Sequence, residues 1–312
     1  MKNKAYTDNI IVIVGPTASG KSDLGVKIAQ KINGEIISAD SRQVYRGMDI
    51  GTGKITKKEM SNIPHHLLDV VLPNTDFSAG KFKKLASKKI AEIIKRKKTP
   101  MVVGGTGFWI DSLIYNWPLP EAKSDKKLRS QLEKQTAKQL FTRLKKLDPE
   151  RAQIIEPGNK RRLIRALEIV LITGKKVPQF NLQASYSKSG KKYMEIGSNK
   201  LEIKIIGLNP PKKILEQKIY KRLIQRLDSG MIREIKNLKK SGVSWKRLDD
   251  FGLEYRFVSR YLRGLITYDE MVEQTYGAIR KYSIRQMRWL KRNKSIRWFA
   301  DAKKVKNYIF KK

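Results

Sequence analysis

The chain contains no cysteine, and its only histidines are the adjacent pair His65 and His66. Those two absences remove disulfides, thiolate zinc sites and cysteine nucleophiles together, and they leave the histidine pair without the second site a metal centre needs. Long apolar runs are missing too. Nothing approaches the roughly 20 residues that span a bilayer, and the start, Met1-Lys2-Asn3-Lys4, lacks the apolar segment of a signal peptide. A cytoplasmic chain with no membrane role is expected. Acidic residues are scarce: 29 Asp and Glu face 68 Lys and Arg, a formal net charge of +39. An excess that large exceeds what solubility requires and points to a polyanionic partner, nucleic acid first. Hydrophobic residues still make up 40% of the 312 positions, enough for a substantial core.

The most informative stretch is Gly15, Pro16, Thr17, Ala18, Ser19, Gly20, Lys21 and Ser22, entered from the apolar run Ile10–Val14. This is the spacing of a phosphate-binding loop: glycines let backbone N–H groups converge on an anion, Lys21 adds a point charge, and Ser22 offers a hydroxyl to Mg2+. A helix carrying Leu24, Ile28 and Ile32 should follow and direct the positive end of its dipole at the same place. The loop reports a di- or triphosphate without saying which.

Gly34–Ser41 reads as a second short buried strand ending in the polar residues Asp40 and Ser41, and Pro100–Val103 as a third, running into Gly104-Gly105-Thr106-Gly107. In an open parallel sheet, ligands bind beyond the carboxyl ends of the strands, so Asp40, Thr106 and the phosphate loop should share one crevice. Asp40 could act there as a base, hold magnesium through water, or merely cap the next element. Leu67–Val71 reads as another short strand.

After Pro118-Leu119-Pro120 the pattern becomes wholly helical. Residues 122–199 are expected to form a helical insertion domain between two parts of the core, 1–121 and 200–312, and to close over the substrate. Asn159 should cap a helix that ends at Gly174 and sets Arg161, Arg162 and Arg165 close together. Residues 184–200 look like a linker. Leu201–Leu208 resumes the sheet before a helix with Leu215, Ile219, Leu223 and Leu227 on one face and Lys218, Arg222 and Arg226 on another. Arg222 or Arg226 could reach a phosphate. A last helix, about Asp269 to Arg292, lines up Lys281, Arg285, Arg288 and Arg292. Tyr282, Trp289 and Trp298 are interleaved with them as prospective stacking platforms for RNA. The fold class is α/β, a P-loop NTPase-like parallel sheet flanked by helices.

The stretches GPTASGKS (15–22), ISADSRQVYRGMDIGTGK (37–54), PHHLLD (64–69), VVGGTGFWI (102–110), RRLIRALEIVLITGK (161–175) and IRQMRWLKR (284–292) together resemble the tRNA dimethylallyltransferases, also called tRNA isopentenyltransferases. The resemblance implies transfer of a dimethylallyl group from dimethylallyl diphosphate to the exocyclic amine of the adenosine 3′-adjacent to the anticodon. It makes Asp40 the general base, and gives Lys21, Ser22 with Mg2+, Thr106 and Arg222 to the catalytic centre. Ser41, Arg42 and Gln43 would contact the target base, Thr106 and Arg129 would line the reaction channel, and Arg161, Arg162, Leu163, Ile164, Arg165 and Arg285 would meet the tRNA anticodon stem-loop. A monomer is expected. Two rival classes use the same loop: a small-molecule kinase acting with ATP, and a prenyltransferase acting on free adenine nucleotides. Neither requires so basic a chain.

Overall fold

The structure is a computed structural model that describes residues 9–120, 122, 124–179 and 192–310. The chain forms two compact units, Met1–Asn116 with Tyr186–Lys312, and Trp117–Ser185. The first unit opens with β1 (Asn9–Val14), α1 (Lys21–Ile32), β2 (Gly34–Ala39), α2 (Lys57–Met60), β3 (His65–His66), α3 (Ala79–Lys95), β4 (Thr99–Gly104) and α4 (Gly107–Ile114). The second unit consists of α5 (Lys126–Glu133), α6 (Ala137–Leu147), α7 (Pro149–Ile154) and α8 (Lys160–Thr173). The first unit resumes with β5 (Tyr193–Ile196), β6 (Asn199–Leu208), α9 (Lys212–Asp228), α10 (Met231–Lys240), α11 (Trp245–Phe251), α12 (Leu253–Leu262), α13 (Tyr268–Leu290), β7 (Arg297–Phe299) and α14 (Ala302–Phe310).

The sheet runs β3-β2-β4-β1-β6-β5, with β7 beside the end of β6. Every pairing is parallel except β5 with β6. β1 lies between β4 and β6, Ile11 facing Met101 on one side and Lys204 on the other. Because helices cover both faces, β1 from Ile10 onward and all of β2 are buried instead of alternating between buried and exposed. Ile10, Val12 and Val14 join one core with Phe82, Ile110 and Leu223, while Ile11 and Ile13 join another with Leu24, Ile28 and Val305. This is the period-two geometry of a strand buried on both sides.

Two expectations about strands change. Leu67–Val71 does not extend the sheet: β3 is only the histidine pair, and Leu67 and Asp69 take φ of 63° and 55°, which ends an extended run. The stretch expected to be linker contains β5, in which Tyr193 is exposed and Met194 buried, the alternation of a half-buried edge strand. Residues 193–196 therefore belong to the sheet and not to the helical insert. Residues 184–191 of that linker lie outside the described residues.

Within the second unit, Leu132, Leu140, Leu144, Leu163 and Leu167 make a separate apolar core. α8 begins as its sequence requires, the Asn159 side chain accepting the Arg162 N–H at 3.2 Å, and it ends on left-handed Gly174.

Candidate active site

The phosphate loop joins β1 to α1 at the carboxyl end of the sheet. The Ser19 N–H donates to the Pro16 carbonyl at 3.3 Å, and Lys21 Nζ donates to the same oxygen at 3.3 Å. The Thr17 N–H is turned away from the cradle and donates to Gln286 Oε1 at 2.9 Å. Burial pushes the Lys21 ammonium down to about 8; Asp40 opposes the shift, and Arg222 and Arg226 add to it. Burial, reinforced by Arg226, likewise lowers the Arg222 guanidinium to about 10. Arg222 makes no hydrogen bond to any other described residue. Such a concentration of partly desolvated cations is stabilised by an anion placed among them.

Asp40 follows β2 directly, and its Oδ1 accepts the Arg42 N–H at 3.0 Å. The neighbouring loop is stitched to it: the Ser41 N–H donates to Thr106 Oγ1 at 3.1 Å, and the Thr106 N–H donates to the Ala39 carbonyl at 3.2 Å. Gln43 accepts from the Ser38 hydroxyl at 3.1 Å and donates to the Gly53 carbonyl at 3.3 Å. Arg42 is paired at 2.7 Å with Glu254, which also holds Arg226 at 3.0 Å. Burial alone would raise the Glu254 carboxyl, but the two guanidinium groups hold it below its ordinary range.

Gly53 makes this cluster possible. At φ 59° it occupies the left-handed region, and a Cβ there would lie 1.8 Å from Arg226 Nη2 and 3.0 Å from Arg222 Nη2. The resulting cleft, open to solvent, brings Thr17, Lys21, Ser22, Asp40, Arg222 and Arg226 together with apolar Ile36, Ile55 and Val103. It can hold a polyanion against the cations and an apolar group beside it, with one carboxylate at the edge to take a proton.

α13 forms one wall. Tyr282, Gln286 and Trp289 recur at helical spacing and meet the turn that follows β4. The Tyr282 phenol, hydrogen-bonded to Thr106, is pushed up to about 12 by burial and by nearby Asp40. Gln286 Nε2 donates to the Gly105 carbonyl at 3.1 Å. Trp289 Nε1 donates to Asp111 at 2.7 Å. Gly107 has no side chain to obstruct the indole: a Cβ there would lie 2.1 Å from Trp289.

The structure redistributes several expected RNA contacts. Leu163 and Ile164 are buried in the core of the second unit, so their side chains pack rather than touch RNA. Arg129 binds buried Glu168 through Nε at 2.7 Å and Nη2 at 2.8 Å, and Arg165 binds it at 2.5 Å. Both are anchors of that unit, whereas Arg161 and Arg162 are exposed. On α13, Arg285 and Arg288 are exposed. Trp289 and Trp298 are not free stacking platforms: the first is bonded to Asp111, and the second packs over Gly207, whose Cβ would lie 2.4 Å away.

Three site-building residues escaped the sequence reading: Glu254, Gln286 and Glu234. Glu234 accepts the N–H groups of Asp49, Ile50 and Gly51 at 2.8, 2.6 and 3.1 Å, fixing the loop that carries Gly53. All three act on partners far away in sequence, which local spacing does not reveal.

The family model for IPP transferase matches residues 43–293. The chain belongs to the IPP transferase family. A tRNA dimethylallyltransferase from Pelotomaculum thermopropionicum is 38% identical over 99% of this chain and 98% of its own length. Its namesake from Caldanaerobacter subterraneus is 39% identical over 93% of this chain and 91% of its own length. Among solved structures, the full-length tRNA isopentenylpyrophosphate transferase of Bacillus halodurans superposes with a TM-score of 0.68 at 34% identity, covering 97% of this chain and 95% of that one. A eukaryotic dimethylallyltransferase acting on tRNA gives 0.75 at 26% identity, covering 96% of this chain and 76% of that one. No described helix is long and apolar enough to cross a membrane.

Proposed function

We propose that the chain transfers a dimethylallyl group from dimethylallyl diphosphate to the exocyclic amine of the adenosine 3′-adjacent to the anticodon in tRNA. The products are N6-isopentenyladenosine and diphosphate. The observation that carries this reading is the convergence, in one cleft, of Lys21 and Arg222 with Asp40 and an apolar lining. Against a kinase, the chain carries a large excess of positive charge, and Ile36, Ile55 and Val103 offer the cleft apolar surface for a prenyl group.

In this reading the diphosphate is the leaving group. Lys21, the loop N–H groups and Arg222 are preorganised around the oxygens that gain charge as the allylic carbon–oxygen bond breaks, and fixed donors of this kind need no reorganisation in the transition state. The adenine amine attacks the allylic carbon, and Asp40 accepts the proton that nitrogen loses. Thr106 holds the Ser41 N–H and so sets the loop on which Asp40 stands. A base stacked in an RNA loop cannot reach Asp40, so the adenosine is turned out of its stack. Ser41, Arg42 and Gln43 flank that position, with Arg42 braced by Glu254.

Magnesium fits as a companion of the substrate. Ser22 is exposed at the cleft, and the described residues contain no group of three or more His, Asp or Glu able to hold a metal. Ser22, diphosphate oxygens and water would supply its ligands. Bound there, the ion would neutralise charge on the diphosphate.

The exposed arginines Arg161, Arg162 and Arg285 contact tRNA phosphates, and the helical unit holds the anticodon stem-loop. The protein would act as a cytoplasmic monomer. Incubation with radiolabelled dimethylallyl diphosphate and, separately, unmodified tRNA, AMP or ATP tests the reading. Label in tRNA alone supports it; label in AMP or ATP, or in none of them, overturns it.

A further inference from the structure

Gln286 is almost completely buried, at 6% exposure, and is bonded to two catalytic segments at once. Its Oε1 accepts the Thr17 N–H of the phosphate loop at 2.9 Å, and its Nε2 donates to the Gly105 carbonyl at 3.1 Å. A backbone N–H can only donate and a carbonyl can only accept, so the bridging group must offer one acceptor and one donor side by side. A primary amide does so; a carboxylate offers only acceptors, and an alkyl group neither. The fit is tight, since a Cβ on Gly105 would lie 2.2 Å from Nε2.

We propose that Gln286 is a positioning residue for the transfer reaction: it locks the phosphate loop against the turn after β4 and thereby sets affinity for the diphosphate end of the donor. The inference rests on the proposed function only in the identity of the donor. Thr17 begins the part of the loop whose later N–H groups, with Lys21, face the anion. With its N–H pinned to Gln286, the loop is held in the conformation that receives phosphate instead of having to adopt it on binding, a cost otherwise subtracted from affinity.

The test measures four quantities in the full chain: donor KM, inhibition by inorganic diphosphate, tRNA affinity and melting temperature. Gln286→Leu should raise donor KM and the diphosphate inhibition constant together, by about tenfold, as expected for buried polar groups losing their partners. tRNA affinity should stay within about twofold, because the exposed arginines of α13 are untouched. Gln286→Glu keeps the Thr17 acceptor but sets a carboxylate against the Gly105 carbonyl and adds negative charge beside the anion, so it should bind diphosphate at least as poorly as the leucine variant. Unchanged donor KM and diphosphate inhibition in both variants would overturn the proposal, as would parallel losses of tRNA affinity and melting temperature, which mark a purely structural role.

A double-mutant cycle keeps the question answerable if the leucine variant does not fold. Gly105→Ala drives a methyl group into Nε2 and should weaken diphosphate binding; combined with Gln286→Ala, the loss should be smaller than the sum of the two single losses. Strictly additive effects would overturn the direct contact. Inorganic diphosphate binding does not depend on the acceptor, so a wild-type protein that labels no tRNA would refute the proposed function and leave this test intact.

Discussion

Arg42 donates to Glu254 across 2.7 Å, joining the loop after β2 to the start of α12, 212 positions away. Glu254 is almost wholly buried, and its second oxygen holds Arg226. Removing one member of such a cluster leaves buried charge without a partner. Glu254→Gln should therefore cost on the order of 3–5 kcal/mol in urea unfolding, and should weaken catalysis through the displaced loop. The guanidinium groups hold the carboxyl below its ordinary 4.5, so this stabilisation is complete at neutral pH and disappears only as acid protonates the group below that value. A variant as stable as wild type at pH 7 would show that the cluster contributes nothing.

Asp40→Asn keeps the size of the side chain and an oxygen to accept the Arg42 N–H, but an amide cannot take the proton from the adenine amine. Transfer should fall by roughly 100-fold or more, with little change in tRNA binding. If Asp40 instead orients magnesium, raising the metal concentration should restore part of the rate. Single-turnover transfer across a magnesium series separates these roles, and near-wild-type rates throughout would exclude both.

Lys21 is charged in the free protein below about pH 8 and neutral above it. The charged form binds diphosphate, so above that pH binding must also take up a proton, and kcat/KM for the donor should decline by up to about tenfold per pH unit. kcat should depend less on pH, because the bound anion raises the lysine again. Lys21→Ala should remove the inflection, lower turnover by about tenfold or more and leave tRNA binding intact.

The arginines should divide by environment. Replacing exposed Arg161, Arg162 or Arg285 should weaken tRNA binding and flatten the slope of log affinity against log salt by roughly 0.7 to 0.9 for each phosphate no longer neutralised. Replacing Arg129 or Arg165 should lower the melting temperature instead, since buried Glu168 is then deprived of a partner. Identical slopes in the first group would mark those residues as a solvated face.

Gly53→Ala should weaken diphosphate binding while most of the fold survives. The added methyl meets two guanidinium groups, one at 1.8 Å, and the left-handed φ is costly for alanine. Inhibition by inorganic diphosphate is the direct measurement; an unchanged inhibition constant would show that the arginines relocate without consequence.

The parts of the site legible in the sequence are those encoded locally. The phosphate loop is a spacing of eight consecutive residues, and Asp40 ends a run whose burial its composition announces. The bounds of α8 follow from its cap and its stop, which are single residues, Asn159 and Gly174. The errors have physical causes. Leu163 and Ile164 stand beside exposed arginines in sequence but point to the opposite side of α8, and a motif carried over from a family does not distinguish the faces of a helix. Leu67–Val71 reads as extended because composition does not reveal the left-handed residues that interrupt it. Gln286 lies 269 positions from Thr17, so no local pattern could connect them.

The position of β1 also bears on how the protein is made. This strand is synthesised before both of its neighbours, β4 and then β6, the latter arriving only after the whole helical unit has been made. The loop it carries waits longer still, for a side chain on α13. A nascent chain that has not yet reached Gln286 therefore contains the entire phosphate-loop sequence without its bracing amide.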